Sequence, residues 1–151
     1  MGVNAMAIRV LIADDHDATR KGVRMILSHD GIEICGEATN GIEVVTNAAQ
    51  LRPDLVILDL TMPVMGGLEA ARELRKILPD IPLLVYSMHE SDQLIQESKR
   101  VGVRGFVSKS EISEALAAAV NALVVQKATF FPEPWALPSS VGLENSSRSK
   151  S

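Results

Sequence analysis

Five side chains of the kinds that bind metal ions or phosphate stand at the ends of short apolar runs. Asp14 and Asp15 follow IRVLIA (8 to 13), Asp59 ends DLVILD (54 to 59), Ser87 ends PLLVYS (82 to 87), and Lys109 follows RGFVS (104 to 108). Carboxylates gathered this closely repel one another unless a cation compensates them. Hard oxygen ligands with positions left for water suit Mg²⁺. In that setting Asp59 can attack a phosphoryl donor and become an aspartyl phosphate, with the metal and Lys109 neutralising the transferred group and Ser87 donating to one of its oxygens. Taken singly, each residue has a plainer explanation: a strand-terminal Asp commonly caps the next helix, and a lone Lys is usually a solvated side chain. The convergence of all five on one edge carries the chemical reading.

That edge exists only if the runs are parallel strands. IEICGEA (32 to 38) supplies the fifth run, and the segments between runs place apolar residues at helical spacing, as with Ile112, Leu116, Val120 and Leu123. Strand then helix, five times over, predicts an α/β fold with a parallel sheet covered by helices on both faces. The C-terminal ends of its strands then share one edge, where ligands of open α/β sheets bind. Asn40-Gly41 is expected to open the second helix, Pro53 to end it, Pro79 and Pro82 to bracket the turn into the fourth strand, and Gly102 to close the fourth helix.

Composition excludes several classes. The 151 residues, 46% hydrophobic and 23% charged, suit one globular domain. A net charge of −4 without a basic block offers no footprint for nucleic acid or an anionic membrane, so a protein partner is expected. With no spanning apolar run and no leader-like N-terminus, the expected location is the cytoplasm. Cys35, the only cysteine, precludes an internal disulfide and reads as a small core residue.

The segments VLIADDH, PDLVILDLTMPVMGGLEAARELR, LLVYSMH and GVRGFVSKSEISEALAAAV resemble, in order, the motifs of the response-regulator receiver domain, most closely the NarL/FixJ type. The resemblance covers roughly residues 7 to 126. It implies a flavodoxin-like (CheY-like) five-stranded sheet of order 2-1-3-4-5 with five helices. It implies Mg²⁺ (or Mn²⁺) held by Asp15 and Asp59, with Asp14 assisting and the backbone carbonyl of Thr61 completing the site. Asp59 is then the phosphoacceptor of a histidine kinase or phosphotransfer protein. Ser87 matches the switch hydroxyl, Phe106 the switch aromatic and Lys109 the phosphate-binding lysine; Ser87 moves toward the phosphate and Phe106 turns inward. The face of the fourth helix, fifth strand and fifth helix is thereby remodelled for a downstream protein or a second copy. Such a domain is a signalling module, with self-catalysed phosphotransfer and autodephosphorylation as its only chemistry. Read without the family, Phe106 is simply a core aromatic.

Departures from the family pattern refine the expectation. NarL/FixJ members usually continue into a helix-turn-helix domain of some sixty residues, which the residues after Gln126 cannot hold, so the usual output domain is expected to be missing. Gly66 stands where an Asp is common, Met88 is bulkier than the frequent Ala, and Thr61 and His89 occupy variable positions that can tune hydrolysis of the phosphate. His16 lies beside the acids, but an oxygen-rich site prefers no imidazole; His29 reads as a surface residue at a helix end. A haloacid-dehalogenase-like phosphatase also uses an aspartyl phosphate, but it needs a second Asp where this chain has Thr61. A fragment of a longer NarL/FixJ-type DNA-binding regulator is the remaining alternative. The expected division is a receiver over residues 1–126 and a tail over 127–151, with Phe130, Phe131 and Trp135 either folding back or forming a docking segment, and a disordered Ser-rich end. Gln93, Gln96, Lys99 and Arg100 give the fourth helix a polar exchange surface.

Overall fold

The computed structural model describes residues 7–111 and 113–132. Strands β1 (Arg9–Ala13), β2 (Glu33–Ala38), β3 (Leu55–Leu58), β4 (Leu83–Ser87) and β5 (Gly105–Ser108) alternate with helices α1 (Asp17–His29), α2 (Gly41–Leu51), α3 (Gly67–Ile77), α4 (Asp92–Arg100) and α5 (Ser113–Val124). All pairings are parallel, and the sheet order is β2-β1-β3-β4-β5. This is the expected flavodoxin-like arrangement.

Successive strand side chains face opposite ways, so each central strand feeds two cores. Leu11, Ala13, Val56, Leu58 and Val85 pack with residues of α2 and α3, while Val10, Ile12, Leu55, Ile57 and Leu84 pack with residues of α1 and α5. Every residue of β3 is therefore buried, which explains its uninterrupted apolar sequence. The edge strand β2 is covered less completely, and Cys35 is only half-buried there.

The helix ends follow local chemistry. Asn40 accepts a hydrogen bond from the Glu43 N–H at 2.9 Å, and the Glu43 carboxylate accepts from the Thr39 N–H at 2.7 Å, a reciprocal cap that fixes the start of α2. Ser91 caps α4 through the Leu94 N–H at 3.1 Å. Gly66 precedes α3 and gives it no side-chain cap. After α4 the chain turns at Gly102, whose φ of +92° favours glycine.

The ladders run one residue past the strands. Asp14 N–H donates to the Ala38 carbonyl at 3.0 Å, Asp59 N–H to Ala13 at 2.9 Å, and Lys109 N–H to Ser87 at 2.7 Å. The backbone of each of these chemical residues is thus clamped to the neighbouring strand. Beyond α5 the chain returns to the sheet, and Phe130 bridges Gly105 in parallel. Trp135, the Ser-rich end and Ile112 lie outside the described residues.

Candidate functional site

At the C-terminal edge of the sheet, β1 ends in Asp14 and Asp15, β3 in Asp59, β4 in Ser87, and β5 in Lys109. Asp14 is 2% exposed and Asp59 5%, so both carboxylates are largely withdrawn from water. The Lys109 ammonium lies 2.7 Å from Asp14 Oδ2 and 3.7 Å from Asp59 Oδ1, which ties the two acids together across β1, β3 and β5. It also lies 5.9 Å from the centre of the Tyr86 ring. Burial, and next the negative charge of Asp14, push the Asp59 carboxyl above the usual carboxylate range; Lys109 and the Thr61 backbone N–H pull it partly back.

Ligand atoms of Asp14, Asp15, His16 and Asp59 all lie within 4.8 Å of one another. Three carboxylates thus gather where one lysine pairs with two of them. This excess of hard oxygen donors fits a divalent cation such as Mg²⁺. His16 Nδ1 is 3.2 Å from a carboxylate oxygen of Asp14 and of Asp15, and its backbone N–H donates to Asp14 Oδ1 at 2.8 Å. His16 therefore braces the acids from the outside of the loop.

Ser87 is buried, and its hydroxyl oxygen accepts the His89 N–H at 3.0 Å, which leaves its proton free for an acceptor. Thr61 and His89 line a cavity of about 390 Å³ beside the end of β3, together with Leu60, Gly66 and Leu94. Met88 does not line it and is 68% exposed. Phe106 is buried on the face of β5 that packs toward α4. His29 is exposed at the end of α1.

One positioning residue escaped the sequence reading. Arg20, in α1, donates to the Asp14 carbonyl at 2.7 Å, to Glu37 at 2.8 Å and to Asp17 at 3.1 Å. It pins the loop that carries both N-terminal acids to α1 and β2. Its only local signal is the Asp17 spacing of three residues; the other partners are set by the fold.

The family described as response regulator receiver domain is matched over residues 10–121, and the chain belongs to it. It is 40% identical over 103 residues to the response regulator GacA of Pseudomonas viridiflava, covering 68% of this chain and 48% of that protein. It is 38% identical over 115 residues to the chemotaxis protein CheY of Thermotoga maritima, covering 74% of this chain and 96% of that one. A two-component response regulator of the LuxR family from Aurantimonas sp. SI85-9A1 superposes with a TM-score of 0.79 at 28% identity, covering 82% of this chain and 89% of that one. The chain spans about half the length of curated relatives such as GacA. It is a receiver of two-component signalling. Among the described residues no helix is long and apolar enough to cross a membrane.

Proposed function

We propose that the chain accepts a phosphoryl group on Asp59 from the phosphohistidine of a histidine kinase or phosphotransfer protein. A carboxylate oxygen forms the new O–P bond as the P–N bond of the donor breaks. The observation that carries this reading is the Lys109 ammonium, held between Asp14 and Asp59 at 2.7 and 3.7 Å. Asp14, Asp15, Asp59 and the Thr61 carbonyl would hold Mg²⁺ (or Mn²⁺). Bound there, the cation offsets the repulsion between the carboxylates and the charge of the incoming group.

The protein's own residues do the rest. Lys109 is close enough to leave Asp14 for the phosphoryl oxygens, and the Ser87 hydroxyl has a proton to donate to one of them. Phe106 shares β5 with the residue before Lys109, which supports its role as the switch aromatic. Thr61 and His89 line the cavity beside the end of β3, which supports a role for them in tuning the lifetime of the acyl phosphate. The module turns over no separate substrate. It acts by remodelling a surface for a downstream protein or a second copy, in the cytoplasm, with residues 1–126 as receiver and 127–151 as tail.

The test is intact mass after incubation with Mg²⁺ and acetyl phosphate, with and without EDTA, for wild type and Asp59→Asn. One added phosphoryl group, on wild type with Mg²⁺ alone, supports the reading; equal labelling of both proteins overturns it. A second reading, the receiver portion of a longer NarL/FixJ-type DNA-binding regulator, is favoured by the 48% coverage of GacA. The mass of the native protein in its source cells decides between them.

A further inference from the structure

The outer edge of β5 is closed by the chain's own segment. Phe130 N–H donates to the Arg104 carbonyl at 3.0 Å, and Phe106 N–H donates to the Phe130 carbonyl at 2.8 Å. These two bonds make a single parallel bridge opposite Gly105. Gly105 permits the close approach, since a Cβ there would meet Leu84 Cδ1 at 2.8 Å and the Phe130 carbonyl at 3.2 Å. The two phenylalanines straddle the edge as alternating strand residues must. Phe130 packs on the core shared with α1 and α5, and Phe131 on the core shared with α2 and α3, with the Lys99 ammonium 4.7 Å from the centre of its ring.

The pairing stops short for a chemical reason. A parallel ladder continuing from these bonds next needs an N–H at position 132, aimed at the Phe106 carbonyl. Pro132 has none. The fit around the segment is also loose: a cavity of about 200 Å³ remains among Phe106, Val107, Ala115, Phe130, Phe131 and Pro132. A segment that pairs at one position among its described residues, beside a cavity, is a weak occupant of a site that longer strands can use.

We propose that the β5 edge, walled by α4 and α5, is a docking site for an extended aromatic segment of a partner protein that pairs through its backbone, and that residues 128–132 hold it shut in cis. The partner displaces the segment by supplying apolar side chains where Phe130 and Phe131 lie and an N–H where Pro132 has none. Pro132 thus keeps the internal occupant replaceable. That this face receives a partner rests on the function proposed above, and the backbone pairing and the closure by residues 128–132 go beyond it; the peptide test below needs no phosphorylation, so its failure is distinguishable from failure of the phosphoacceptor reading.

The test uses full-length protein and a fluorescein-labelled peptide with the sequence of residues 127–135, KATFFPEPW. The double variant Phe130→Ala/Phe131→Ala is expected to bind the peptide at least tenfold more tightly than wild type, and a peptide with Ala in place of its internal Pro at position 132 more tightly still. Equal binding to wild type and variant, or binding to neither, overturns the proposal. In a second measurement that keeps both phenylalanines, Pro132→Ala is expected to slow hydrogen exchange at the Phe106 amide severalfold; unchanged exchange overturns the account of Pro132. A wild-type dimer that the double variant dissolves would show exchange of the segment between copies and overturn closure in cis.

Discussion

Asp59 sits where its own negative charge is costly. Burial and the neighbouring Asp14 raise its carboxyl above the usual range, and Lys109, nearer to Asp14, compensates only in part. A raised folded-state value means that the native state binds this proton more tightly than the unfolded chain does. Its stabilising contribution is therefore present at acid pH and is lost as pH rises through the folded-state value. Asp59→Asn, measured without divalent cations, is accordingly expected to raise the melting temperature at pH 7 by a few degrees, about 1 kcal/mol corresponding to about 4 °C in a domain of this size. The gain should shrink toward zero near pH 4. A variant less stable than wild type at pH 7 would mean that the Lys109 pairing outweighs burial. The acids themselves were legible in the sequence because each ends an apolar run, but Arg20 was not, since it bonds a backbone carbonyl, which no sequence pattern marks, and Glu37 on a different element.

The loop between β3 and α3 is the element on which the site depends, and it carries strain. Val64 has φ +70° and is 82% exposed, a left-handed backbone that a β-branched side chain resists. Gly67 begins α3 against the Asp59 carbonyl so closely that a Cβ would collide with it, which locks the helix start to the end of β3. Val64→Asn should relieve the strain and add about 1 kcal/mol, read as a higher urea midpoint at unchanged slope. An unchanged or lower midpoint would show that Val64 makes compensating contacts. In this stretch the sequence drew attention to Gly66, where the family often has Asp. It gave no sign of Val64, because the left-handed position carries neither Gly nor Asn. That Phe130 and Phe131 fold back onto the domain is one of the two readings the sequence offers, but their backbone bonds to the β5 edge leave no periodic pattern and were not legible.

At the scale of the molecule, the ends of β1, β3 and β5 bring charge and that of β4 a hydroxyl to one rim while two apolar cores hold the strands in register. The order of strands and helices was readable from the alternation of apolar runs and helical spacing, whereas Cys35 came out only half-buried because β2 is an edge strand. A cation that binds only the folded rim must stabilise the whole domain, by about 2.7 kcal/mol at a hundredfold excess over its dissociation constant. Mg²⁺ is therefore expected to raise the melting temperature of wild type and to leave that of Asp15→Asn nearly unchanged. An equal rise in both would move the metal elsewhere. The claim that matters most is which acid carries the phosphoryl group, since Asp14 and Asp15 lie beside Asp59 on the same rim. Borohydride reduction of protein treated with acetyl phosphate, followed by peptide mapping, marks the acylated residue. The account predicts homoserine at position 59 alone. Homoserine at 14 or 15, with Asp59 intact, would contradict it.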